Sequence, residues 1–199
     1  MNKAWSHFRT IVYHKYLVAK GCFRVGLYRQ GILHDMSKFS PEEFGVGAKY
    51  FQGNRSPNDA EREVLGYSGA WIHHMGRNKH HYEYWHDYDK QGNMVPVPMP
   101  GRYIAEMIMD RIAASKVYEG KKYTDASPLA YYKKGKKVND IMHDDTRLTL
   151  ERLLKMLAEE GEDKTFARIR KELVMQDGRL LWKKDLRKKR HLQSKKYKK

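Results

Sequence analysis

At 199 residues, 40% of them hydrophobic, the chain is long enough for one domain with a substantial core and too apolar to be disordered. A single cysteine, Cys22, excludes an internal disulfide and a Cys-rich zinc module. Met1 to Thr10 lack the apolar run of a signal peptide, and no stretch approaches the roughly 18 apolar residues of a membrane helix, so a cytoplasmic protein without membrane association is expected.

The net charge of +16 is unevenly placed: residues 181–199 hold ten Lys/Arg against one acid, Asp185. This tail reads either as a solvated terminus or as a surface for nonspecific nucleic-acid contact.

Helical periodicity dominates the chain. Residues 5–28 carry Phe8, Ile11, His14, Val18, Cys22 and Val25 on one stripe, so His14 lies among apolar neighbours. A short helical stretch then leads to Ile32-Leu33-His34-Asp35. Ser40-Pro41-Glu42-Glu43 is a helix start with Ser40 as N-cap and Glu43 closing a capping box. Residues 53–58 read as a loop and 59–75 as one helix ending near Gly76. Residues 90–101, with Gly92 and three prolines, read as an irregular connection carrying at most one short extended segment. Residues 102–118 form a helix with Tyr103, Met107, Asp110, Ala114 and Val117 on a stripe. Two amphipathic helices follow, 145–160 and 164–175, separated by Gly161. No alternating pattern is long enough to build a sheet, so the fold is expected to be all-α.

Polar residues on apolar stripes carry the chemistry. An unpaired buried carboxylate costs several kcal/mol, on the order of 3–5, so Asp110 needs a cation, donors or a metal. His34-Asp35 puts a nitrogen and a carboxylate ligand at one point of the backbone. Five of the ten histidines (His73, His74, His80, His81 and His86) fall within fourteen residues. On a continuous helix, residues seven apart are about 10.5 Å apart along the axis, too far to share an ion. Gly76 and Asn78 suggest a break that lets His74 and one of His80/His81 converge, and two or three of the five are expected to be ligands. Mixed imidazole and carboxylate donors suit Mn, Fe or Zn better than Ca or Mg.

The order His14, His34-Asp35, Asp110 resembles the HD superfamily of helical metal-dependent phosphohydrolases. His34-Asp35-Met36-Ser37-Lys38 is similar to the motif of its two-metal branches, in which intervening histidines bind a second ion. The Gly-Tyr-Pro signature of the cyclic-di-GMP phosphodiesterases is absent. The wider pattern resembles an uncharacterised bacterial and phage family over residues 10–120. Its marks are His34-Asp35-x-Ser37-Lys38-Phe39-Ser40-Pro41-x-Glu43-Phe44, His73-His74-x-x-Arg77-Asn78-x-His80-His81-x-x-Tyr84-Trp85, Met99-Pro100 and Glu106-Met107-x-x-Asp110.

The resemblance implies an HD-domain-like helical bundle over residues 1–175 with a basic tail at 176–199. It implies a site of one or two divalent transition-metal ions (Mn, Fe or Zn) held by His14, His34, Asp35, His74, His80, His81 and Asp110. Asp35 would bridge two ions. Lys38 and Arg77 are candidates for contacting the phosphate of a nucleotide or other phosphorylated small molecule, with a surface position the alternative for Lys38. Glu106, one turn before Asp110, either orients a ligand histidine or lies on the surface. Three functions compete: a metal-dependent phosphohydrolase, an HD-fold di-iron oxygenase, and a nucleic-acid-binding protein whose core is structural.

Overall fold

The computed structural model describes residues 2–135 and 141–175. The basic tail, 176–199, lies outside the described residues, as does the question of what it contacts. Helix dominates, as the periodicity predicts. Helix α1 (Lys3–Val25) starts at Asn2, whose side chain accepts from the Ala4 N–H, and ends at Gly26 in the left-handed region, φ 89°. That glycine stops it three residues before the expected end, because only a residue without Cβ takes this turn at no cost. Helix α2 (Tyr28–Leu33) is short, and a 3-10 turn, Met36–Phe39, separates it from α3 (Pro41–Tyr50).

The single helix expected over 59–75 is two, α4 (Pro57–Leu65) and α5 (Gly69–Arg77). Gly66 closes α4 with φ 80°, and Ser68 opens α5 by accepting from the Trp71 N–H at 3.0 Å. A C-terminal glycine followed by a serine cap is a stop and a start, and here it outweighs the continuing apolar pattern. The irregular connection holds one strand of a two-stranded antiparallel hairpin, β1 (His86–Tyr88) with β2 (Met94–Pro96), in register His86 opposite Pro96.

Helix α6 (Gly101–Glu119) is more central than a one-stripe helix: every residue from Ile104 to Met109 is buried. Its two neighbours explain this. Helix α1 packs along one side, and α7 (Ser127–Lys134) and α8 (Asp144–Ile169) cover the other. Gly161, φ 80°, breaks α8 into the two segments read from the sequence. The chain then makes a π turn over Arg170–Val174 against α6. Val18, Cys22, Ile108, Leu150, Leu153, Leu154 and Leu157 form the centre of this core. Full burial of each such side chain is worth about 1.5–3 kcal/mol. Helices α3, α4 and α5 form a second group that meets the core through α1. Among the described residues, no helix is long and apolar enough to cross a membrane.

Candidate metal centre

The seven residues singled out as ligands fall into two groups that share Asp35. His14, His34, Asp35 and Asp110 form one, and Asp35, His74, His80 and His81 the other; within each, the donor atoms lie within 4.8 Å of one another. Five pieces of backbone supply them: α1, the end of α2, α5, the turn after α5, and α6. The break after α5 is what brings His80 and His81 back beside His74. The Asn78 side-chain amide holds that break, donating to the His74 carbonyl and to Ser37 Oγ, each at 2.8 Å.

Asp35 is the hub. It is 1% exposed, and among the described residues it is the one non-glycine residue with positive φ, 52°. The left-handed backbone is uncommon for any residue with a Cβ, costs about 1–2 kcal/mol, and collects at functional sites. Here it turns the carboxylate so that each oxygen faces a different group. Oδ2 lies 3.2 Å from His34 Nε2; Oδ1 lies 3.3 Å from both His74 Nε2 and His80 Nε2. On the first side, Asp110 Oδ1 lies 2.9 Å from His14 Nε2 and 3.5 Å from His34 Nε2.

These atoms are close without being hydrogen-bonded. Among the described residues, His14 Nε2, His34 Nε2, His80 Nε2, His81 Nε2 and both Asp35 oxygens are buried and lack hydrogen-bond geometry to any partner. Buried polar groups of folded proteins are overwhelmingly paired. Six without hydrogen-bond geometry, aimed at common points, fit a cation better than they fit each other, even with ion-pair contacts from His14 Nε2 to Asp110 at 2.9 Å and from Lys38 to Asp35 Oδ2 at 2.8 Å. Two groups of four N/O donors, with a third of His34, His80 and Glu106 beside them, have the composition of a site that could hold a transition-metal ion.

The histidines face outward through Nδ1. His34 Nδ1 meets Glu106 Oε1 at 3.0 Å, and His80 Nδ1 meets the same oxygen at 3.3 Å. His74 Nδ1 and His73 Nδ1 each meet Glu43, at 2.7 Å. A carboxylate on the far nitrogen fixes the tautomer that leaves Nε2 free to ligate. Glu106 thus takes the orienting position rather than the surface one. In the sequence Glu43 reads as the closing member of a capping box and as one mark of the family pattern, with no tie to the histidines. The Ser40 hydroxyl does accept from the Glu43 N–H at 3.4 Å, but the Glu43 side chain goes to the histidines instead of back to the cap. Thirty residues separate Glu43 from the His73-His74 pair, and no local signal in the sequence joins them.

Electrostatics follows from this crowding. Burial alone would raise the Asp35 and Asp110 carboxyls, but the imidazoles around both, with Lys38 beside Asp35, hold them well below the usual carboxylate range. Burial likewise opposes ionisation of Glu106, yet His34 and His80 bring it to about 2. For His34, burial is outweighed by Asp35 and the other carboxylates, and its pKa is raised. Burial lowers His14, with Lys38 adding to the effect, and lowers His81, with His80 and His74 adding.

The remaining candidates separate. The Lys38 ammonium sits 2.8 Å from Asp35 Oδ2 with 30% of its side chain exposed, at the edge of the centre. Arg77 is exposed and reaches the His73 carbonyl at 3.4 Å; the fold does not bring it to the two groups. His86 lies in β1, against the Glu83 and Ile141 carbonyls. His73 stays outside with Glu43, so three of the five clustered histidines join the centre. Lys15, not singled out from the sequence, donates to the His34 and Ile32 carbonyls and pins the turn from behind.

A family model described as "Family of unknown function (DUF5662)" matches residues 3–156. The chain belongs to this family. The match extends the resemblance read over 10–120 at both ends and takes in α7 and the start of α8, so all seven candidate ligands and most of the supporting core lie within the matched residues. No curated protein and no solved structure matches the chain.

Proposed function

We propose that this chain is a metal-dependent phosphohydrolase acting on a nucleotide or other phosphoester through a dinuclear His/Asp centre. The observation that carries the reading is Asp35: one buried carboxylate presents its two oxygens to two separate donor groups. His14, His34 and Asp110 would hold one ion and His74, His80 and His81 the other, with Asp35 between them. Bound divalent ions of this kind act as Lewis acids and lower the pKa of a coordinated water towards 7. The similarity of His34-Asp35-Met36-Ser37-Lys38 and of the ligand order to two-metal HD phosphohydrolases supports the same chemistry.

The protein's own contribution is orientation and access. The His34 and His80 side chains are closed off, at 0% and 2% exposure, while Lys38 and Asp110 remain partly open, at 30% and 18%. Substrate therefore approaches on the Lys38 side, where an ammonium can meet a phosphoryl oxygen. The excess of positive charge favours an anionic ligand. A second reading, a di-iron oxygenase, rests on the five imidazoles of the centre, a donor set that also suits iron.

The test is elemental analysis of untagged protein beside Asp35→Asn, followed by phosphate release from p-nitrophenyl phosphate and a nucleotide panel with Mn(II) or Zn(II). Two ions per chain and phosphate release, both lost in the variant, are expected. Protein that binds no ion after reconstitution overturns the metal centre. Bound iron with oxygen uptake and no phosphate release replaces the hydrolase with the oxygenase.

A further inference from the structure

The two donor groups share more than Asp35. Seen from outside, the Nδ1 atoms of His34 and His80 converge on one atom, Glu106 Oε1, at 3.0 and 3.3 Å. His34 belongs to the first group and His80 to the second. Glu43 is different: its oxygens meet His74, a member of the second group, and His73, a member of neither. Glu106 is itself held, because the Gln30 side-chain amide donates to its other oxygen, Oε2, at 2.6 Å. It is 5% exposed and rises from the fully buried face of α6, one turn before Asp110.

Resting on the dinuclear reading above, we propose that Glu106 is a positioning residue common to both metal positions, while Glu43 serves the second position alone. One carboxylate oxygen accepts from the two imidazoles, so it fixes the tautomer and the ring plane of a ligand to each ion. The two rings already touch, tilted 38° to one another with 4.4 Å between centroids. Any shift of Glu106 therefore moves a donor of both ions. Glu43 reaches the first position by no such path. The arrangement ties occupancy of one position to the geometry of the other through a residue that touches neither ion.

The experiment is titration of the metal-stripped full chain with Mn(II), followed by calorimetry and by electron paramagnetic resonance. Wild type is expected to take two ions and to show the spectrum of an exchange-coupled pair. Outer carboxylate partners of ligand histidines contribute about 10–100-fold to metal affinity. Glu43→Gln is expected to weaken one ion by at least about 10-fold and leave the other unchanged, giving the six-line spectrum of an isolated Mn(II) at one equivalent. Glu106→Gln is expected to weaken both, by at least about 10-fold each. Gln30→Ala, which removes the restraint on Glu106 without touching a carboxylate, is expected to weaken both by a smaller factor. It provides the measurement if Glu106→Gln fails to fold. Two ions in wild type with only one affected by the Glu106 or Gln30 variants would overturn the proposal and leave the dinuclear reading standing. A wild-type stoichiometry of one overturns both. Weakening of both ions by Glu43→Gln would overturn the distinction between the two carboxylates.

Discussion

The two halves of the centre are built differently. His14 and Asp110 stand on α1 and α6, helices of 23 and 19 residues that pack against each other through the apolar core. His74 stands on a nine-residue helix, and His80 and His81 on the turn that follows it. The first half is placed by buried hydrophobic surface. The second is placed by polar contacts: Glu43 on His74, and Asn78 on Ser37 and the His74 backbone. Equivalent chemistry can thus rest on a support that is apolar and nonlocal or on one that is polar and local, and the two should fail under different insults.

The largest effect should come from the shared core. Ile108 is fully buried on α6, two residues from Asp110. Ile108→Ala is expected to cost about 2–5 kcal/mol in urea unfolding. It should weaken the first ion more than the second, and equal weakening would show that the halves are not separately supported. Removing metal comes next. An ion bound only by the native state at a concentration of 100 Kd contributes about 2.7 kcal/mol, so a chelator should lower Tm markedly. A single-step loss of both ions would argue against unequal halves.

Asn78→Ala addresses the polar support directly. It should lower the affinity for one ion by about 10-fold and cost about 1 kcal/mol of stability, read by calorimetry and urea unfolding. An unchanged two-ion titration would mean that the turn is held by something other than Asn78.

The smallest effect concerns His7, buried on α1 against Gly47, Phe44 and Phe51, away from both groups. Burial, assisted by Lys38, lowers its pKa from 6.5 to about 4. The unfolded chain therefore binds this proton first. The contribution is present in full above pH 6.5 and is lost as pH falls towards 4. In metal-free protein, His7→Leu should flatten the pH dependence of stability across that window. An unaltered slope would show that His7 is not the group responsible.

The same division explains what was legible in the sequence. α1, α6 and α8 announce themselves by period, and a polar residue on an apolar stripe, as with His14 and Asp110, stands out against it. His34-Asp35 is visible as an adjacent pair. The break between α4 and α5 is written in Gly66 and Ser68, but the apolar pattern runs across it and conceals it. Glu43 is masked by a second role, since the first turn of a helix welcomes an acid for its dipole alone. Arg77 shows the opposite failure: it shares a motif with His73, His74 and Asn78, yet helical geometry turns it to solvent. Outer contacts link residues thirty to seventy positions apart, as in Glu43 with His74 and His34 with Glu106. Spacing along the chain does not encode them.

The left-handed backbone at Asp35 also decides which substitutions are informative there. Alanine removes the carboxylate and disfavours the turn in the same stroke, so a lost ion would have two causes. Glycine keeps the turn and deletes the side chain, while asparagine tolerates the turn and keeps the shape without the charge. Comparing those two separates the chirality of the main chain from the charge it presents. A lineage that gave up the chemistry but kept the fold should drift at this position towards glycine or asparagine, leaving a mark that could be read without any assay.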